Sequence, residues 1–239
     1  MRDFSLNSER RVKRLAMGRE GAPLIIIDDA FADPAGIAEL AATAGFETVR
    51  GRGNHFPGVR SPLPDEYAEA MGTLIDDQHT SFGLAAGAAG EATLNHLQMV
   101  TTPRAELSLP QRLPHFDTFD PNQVACLHYL TEEDRGGTDF YRHRATGFER
   151  ISPERFRPYT ETLVAEVRRL GHPPADYITK ETEQFERIER VDAVFNRVIL
   201  YFSNSLHSGR IPDDAPLSAD PQVGRLMASV FLRFGDLSA

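Results

Sequence analysis

The chain is poor in cysteine, in net positive charge and in long apolar runs, and each shortage excludes something. Its single cysteine, Cys126, has no partner for an intramolecular disulfide, and its place in a strand-like apolar run marks it as a core residue. Lysines and arginines number 26 against 35 aspartates and glutamates, a formal charge of −9 over 239 residues. That balance argues against a nucleic-acid binder, while one arginine in a recessed site could still dominate the field felt by a small anion. The longest apolar run near the start, Leu24–Ile27, is too short for a bilayer span or a signal-peptide core. A cytoplasmic protein without a membrane partner is therefore expected. Internal repeats and low-complexity linkers are also missing. A hydrophobic content of 41% with 26% charged residues is ordinary for a globular chain, and the length suits one domain spanning 1–239.

What is there begins with a basic opening, Arg10 to Arg14, read as a solvated helix end. The burst Leu24–Asp29 reads as a strand, and Asp33-Pro34 then opens an Ala-rich helix to about Ala44, with Asp33 as N-cap and Pro34 at the first helical position. From Val49 to Pro64, glycine, arginine and proline signal a loop, in which Arg60 is read as a solvated side chain ahead of the alternative that it reaches a ligand. Tyr67, Met71, Leu74 and Ile75 keep helical spacing within 65–80. The period then changes to short strands at about 94–101, 112–117, 123–130 and 137–141, a pattern that favours an antiparallel sandwich or barrel. A helical insertion at about 152–190 starts at Ser152-Pro153, and strands return at Phe185–Val191, Arg197–Phe202 and Arg225–Phe234.

The chemistry concentrates in Leu113-Pro114-His115-Phe116-Asp117. In an extended segment alternate side chains share a face, so His115 and Asp117 would point together while Phe116 points away. A histidine and a carboxylate so placed need one more histidine for the facial triad that leaves open positions on non-haem Fe(II). His207, after the apolar run Val198–Phe202 and a polar turn, supplies it. Arg225 opens another apolar run, where a charge needs a partner; it is either an edge arginine paired with a surface carboxylate or a fork holding a dicarboxylate.

The ordered set His115-x-Asp117, His207 and Arg225 resembles the Fe(II)/2-oxoglutarate-dependent dioxygenases, in particular their prolyl-hydroxylase-like branch and its uncharacterised bacterial members. Val124–Leu130 resembles the strand that carries a tyrosine toward the distal carboxylate of 2-oxoglutarate, followed here by Gly136-Gly137. The resemblance covers about 94–141 and 194–234, with a weaker match at Ile25–Phe31. It implies a mainly β chain with α elements, a double-stranded β-helix of the jelly-roll or cupin kind flanked by N-terminal helices and carrying the helical insertion. It implies Fe(II) held by His115, Asp117 and His207, and 2-oxoglutarate as co-substrate held by Arg225 and Tyr129, with Arg210 as the alternative to Arg225. The implied reaction is hydroxylation of an unactivated C–H bond in an amino acid, peptide or small metabolite. The partners expected are that substrate and a second copy of the chain. The competing class is a cupin-type isomerase or ligand-binding module that holds a metal without 2-oxoglutarate. Near the cavity mouth, Arg142, His143 and Arg144 are expected, the arginines as a solvated face, with His128 facing outward because Tyr129 faces inward. Asn204 and Ser205 are read as turn residues.

Overall fold

The computed structural model describes residues 3–48 and 55–235, and within them the chain is mainly β, with antiparallel sheets and few helices. In chain order the strands are β1 (Arg11–Met17), β2 (Ala22–Asp28), β3 (Glu47–Thr48), β4 (Gly58–Pro62), β5 (Gly90–Val100), β6 (Gln123–Tyr129), β7 (Gly137–His143), β8 (Phe185–Asp192), β9 (Arg197–Phe202), β10 (His207–Arg210) and β11 (Leu226–Phe234). The helices are α1 (Pro34–Glu39), α2 (Asp65–Asp76), the single turn α3 (His79–Phe82) and α4 (Pro153–Leu170). The large sheet runs β1-β2-β9-β6-β11-β5-β4-β3 and the small one β10-β7-β8. An isolated bridge between His115 and His207 adds the His115 segment beside β10.

The central strands are buried on both faces, which is why they read as continuous apolar runs rather than alternating ones. Alternation is still there, between two cores. Ile25, Ile27, Cys126, Leu200 and Val230 pack beneath α2, while Leu24, Ile26, Leu127, Ile199 and Tyr201 meet Phe140 and Val191 of the small sheet. The helix α2 buries Tyr67, Met71, Leu74 and Ile75 as its spacing predicts, each such side chain contributing about 1.5–3 kcal/mol relative to exposure. Asp33 accepts a hydrogen bond from the Gly36 amide and caps α1, with Pro34 inside the first turn. Among the described residues, no helix is long and apolar enough to cross a membrane.

Four expectations from the sequence are corrected. The basic opening is the edge strand β1, not a helix end; its register with β2 leaves the arginines on the outer side, as charged edge strands do. The 49–64 loop ends in a strand, β4, while 49–54 lie outside the described residues. Gly58 belongs there because a Cβ would stand 1.9 Å from the Met99 carbonyl oxygen of β5, so the glycine marks close approach and not a turn. The 112–117 strand is a 3-10 turn at Leu109–Arg112 followed by one bridge at His115. The insertion at 152–190 is helical only over α4; its last part is β8, which pairs with β7 and belongs to the small sheet. The strand expected at Phe185–Val191 is thus present, one residue longer, with Arg190 and Asp192 exposed.

Candidate metal centre and its cavity

His115, Asp117 and His207 come together, each offering a ligand atom, with these atoms within 4.8 Å of one another. Backbone pairing does the positioning. The His115 amide donates to the His207 carbonyl at 2.9 Å and the His207 amide returns the bond at 2.8 Å, while the Asp117 amide donates to Ser203 at 2.8 Å. The loop bearing the first two residues is thus pinned against the turn between β9 and β10. The third residue starts β10, where His207 pairs with Phe140 of β7. The Nε2 atoms of both histidines lie 3.7 Å from Asp117, on its two different oxygens.

The tautomer of His207 follows from its surroundings. Its Nδ1 lies 2.9 Å from the Ser205 carbonyl, which can only accept, so Nδ1 carries the proton and Nε2 presents a lone pair toward Asp117. Burial pushes the His115 imidazole well below the usual histidine range, and His207, His55 and Arg60 push in the same direction. Burial raises the Asp117 carboxyl, against the opposing pull of His207 and Arg60. Both residues are biased toward neutrality by the protein alone. A bound divalent cation would restore the carboxylate and use the neutral imidazoles, so the donor set fits a metal by charge as well as spacing.

These residues line one cavity of about 440 Å³, within the ordinary range for a small-molecule site. Apolar walls come from Phe56, Leu94, Phe116, Leu127, Met227 and Phe231. Arg225 lies in this wall, with 4% of its surface exposed. Its guanidinium donates to the Gly137 carbonyl at 2.9 Å and approaches the Met227 sulfur, its Nε has no partner, and no carboxylate pairs with it among the described residues. Burial lowers its pKa, as expected of a desolvated cation with no anion beside it.

Tyr129 does not line the cavity. Its hydroxyl is 2.8 Å from Thr138 Oγ1, and its ring lies beneath the Arg225 guanidinium, 5.7 Å away. Two tyrosines are in the wall: Tyr177, whose hydroxyl donates to the Thr102 carbonyl, and Tyr201 of β9, fully buried, with a hydroxyl that has no hydrogen-bond partner. The signal for it was the polar tip inside the apolar run Val198–Phe202. Arg60 is also in the wall, on β4, rather than in a solvated loop. Arg210, the alternative to Arg225, is outside the lining and engages Asp192 and the Gly136 carbonyl.

The residues expected at the mouth are elsewhere. Arg142 pairs with Glu149 and Glu186, His143 bridges Thr146 and Glu166, and Arg144 reaches Glu181. His128 does point away from Tyr129, but α2 covers that face, so it is buried and not exposed. Asn204 accepts from Arg150 Nε, and the Ser205 contribution to His207 is its carbonyl.

A metal-competent triad lining a cavity with apolar and charged walls, in a mainly antiparallel β chain, is the class these observations define. The family model described as "Family of unknown function (DUF6445)" matches residues 8–232, and the chain belongs to that family. No curated protein matches. Among solved structures, HygX from Streptomyces hygroscopicus with nickel and 2-oxoglutarate bound is similar, at 11% identity and a TM-score of 0.49 over 89% of this chain and 83% of that one. The non-heme alpha ketoglutarate dependent epimerase SnoN from nogalamycin biosynthesis gives 12% identity and a TM-score of 0.47 over 90% and 82%. An N-substituted L-amino acid dioxygenase from Burkholderia ambifaria AMMD gives 14% and 0.44 over 91% and 84%. At these values the functional reading rests on this chain's own residues.

Proposed function

We propose that the protein is an Fe(II)- and 2-oxoglutarate-dependent oxygenase that hydroxylates a C–H bond of a small molecule or peptide. One observation carries the reading: a buried guanidinium, Arg225, without a carboxylate partner, in the wall of the cavity that also holds the three metal-competent side chains. A charge so buried is costly alone, and a dicarboxylate is a ligand that could meet both the arginine and a metal. The strand order supports a double-stranded β-helix: β5, β11, β6 and β9 lie together in one sheet, and β10, β7 and β8 in the other, with the His115 segment beside β10.

In this reading His115, Asp117 and His207 hold the iron and Arg225 holds the distal carboxylate of 2-oxoglutarate. The chemistry supplied with both bound is oxidation of an unactivated C–H bond coupled to decarboxylation of 2-oxoglutarate. Ser205 fixes the His207 ring through its carbonyl, keeping Nε2 directed inward. Tyr201, with its free hydroxyl, takes the hydrogen-bonding role that the resemblance assigned to Tyr129, and Tyr129 instead supports Arg225 from behind. The apolar walls keep bulk water from the reacting bond.

The test is anaerobic addition of Fe(II) and 2-oxoglutarate to the purified protein, read by the weak visible charge-transfer band of the chelate. The band is expected in the wild type, to vanish in His207→Ala, and to require far more 2-oxoglutarate in Arg225→Gln. A wild type that binds metal but gives no band would leave a metal-binding module and remove the oxygenase.

A further inference from the structure

We propose that Arg60 is the anchor for a carboxylate on the molecule oxidised at this site, so that the substrate class is a small organic acid with an apolar body. The inference rests on reading the cavity as an iron and 2-oxoglutarate site, and it concerns the lining arginine to which that reading gives no partner.

The arginine is held in place rather than loosely solvated. Its Nε donates to Gln98 Oε1 at 3.1 Å, and Gln98 Nε2 in turn donates to Ser229 Oγ at 2.6 Å. The guanidinium also stacks over Phe56, 4.5 Å from the ring centroid. Three neighbouring strands, β4, β5 and β11, therefore fix the fork through one chain of side chains. After these contacts, both terminal nitrogens have no protein acceptor among the described residues, and Arg60 forms no ion pair there. Arg142, Arg190, Arg197 and Arg104 each meet a carboxylate within 3 Å, whereas Arg60, like Arg150 over Phe202, is held by an amide oxygen and a ring instead. A positioned guanidinium with its donor edge left open is a receptor for a planar anion.

The charge of the lining points the same way. The lining contains one carboxylate, Asp117, and two arginines, Arg60 and Arg225. A divalent metal adds two positive charges, and a 2-oxoglutarate dianion held by the metal and Arg225 cancels two. One positive charge is left, and it belongs to Arg60. Inside a recess the local field outweighs the net charge of −9 spread over the whole chain, so a monoanion is favoured over a neutral or cationic molecule. Phe56, Leu94 and Phe231 in the same lining suit an aryl or alkyl body.

The experiment titrates 3-phenylpropionate, hexanoate and N-acetyl-L-phenylalanine, each against its neutral primary amide, by calorimetry. It uses wild type, Arg60→Gln, Arg60→Lys and Arg225→Gln, both metal-free and saturated with Mn(II) and 2-oxoglutarate. At least one acid is expected to bind about 10-fold or more tightly than its amide to the wild type, which corresponds to about 1.4 kcal/mol. Arg60→Gln should bring acid and amide within about 2-fold, and Arg60→Lys should keep part of the preference. Affinity for 2-oxoglutarate should fall in Arg225→Gln and not in Arg60→Gln. The proposal is overturned if no acid outbinds its amide, if the preference survives in Arg60→Gln, or if Arg60→Gln loses 2-oxoglutarate as Arg225→Gln does. Should the wild type bind neither Mn(II) nor 2-oxoglutarate, the oxygenase reading fails, while the acid-to-amide ratio on metal-free protein still decides for or against Arg60.

Discussion

His128 and Tyr129 are consecutive on β6, and they open onto two faces of one sheet that treat polar groups in opposite ways. On the helix-backed face, His128 sits in a closed circuit. Its Nε2 donates to Asn196 Oδ1 at 3.2 Å, and its Nδ1 accepts from the Tyr67 hydroxyl at 2.8 Å. Asn196 also exchanges hydrogen bonds with the Phe31 backbone. On the cavity face, the Tyr201 hydroxyl and Arg225 Nε are buried and unpartnered, and the three metal-competent side chains offer ligand atoms within 4.8 Å of one another. The difference teaches how to tell a structural polar residue from a functional one in the same sheet. Buried polar groups are ordinarily satisfied, and those that the protein leaves open are the ones a ligand completes.

The comparison makes its largest demand on His128. Replacing it by alanine removes a buried ring and strands the Tyr67 hydroxyl, while Asn196 Oδ1 keeps the Phe31 amide, so His128→Ala should cost about 3 kcal/mol in urea denaturation. Metal affinity of the folded protein should not change. The mirror-image variant, His207→Ala, should lower Mn(II) affinity at least about 100-fold by calorimetry while shifting the urea midpoint little, since a ligand outweighs the 10–100-fold effect of supporting residues. If either variant showed the other's behaviour, the division between the faces would be lost.

A smaller effect is pH dependence. Burial drives the His128 imidazole down to about 3, with the hydrogen bond to Asn196 opposing. Above the ordinary histidine value of about 6.5, both folded and unfolded chains carry it neutral. As pH falls below that value the unfolded chain takes up a proton that the native one refuses, so stability is lost downward from about 6.5 toward 3. Between pH 7 and pH 5 this residue should remove about 2 kcal/mol. The slope of unfolding free energy against pH, compared between wild type and His128→Gln, checks it; equal slopes would mean that His128 does not titrate in this way.

The smallest effect sharpens the cavity side. Tyr201→Phe should weaken 2-oxoglutarate binding to the Mn(II) form about 5- to 10-fold, the value of one hydrogen bond. Tyr129→Phe should change it less than about 2-fold, because that hydroxyl already pairs with Thr138. The reverse outcome would return the role to Tyr129.

Much of this was legible in the residues. The spacing of Tyr67, Met71, Leu74 and Ile75 specifies the buried face of α2, and the apolar runs of β2, β6 and β9 specify strands with two covered faces. The residues His115, Asp117, His207 and Arg225 were nameable because few residue types hold a divalent metal or a dicarboxylate, and because a charge at the head of an apolar strand calls for a reason. Less was legible where local composition and tertiary role diverge. Gly58 and Pro62 made β4 look like a loop, and the basic residues of β1 made an edge strand look like a helix end.

By itself, then, the sequence determined the periodicity of the elements and the inventory of reactive side chains, since both depend on residue type and near neighbours. Only the tertiary structure decided which of them share a space. The pairing of the His115 segment with β10 assembles the triad from residues some ninety positions apart. Packing of α2 turns His128 from an outward residue into a core one, and the register of β4, β5 and β11 brings Arg60 to the same cavity as Asp117. Such choices rest on long-range pairing and on which polar atoms find partners, and neither is written in any local stretch of the chain.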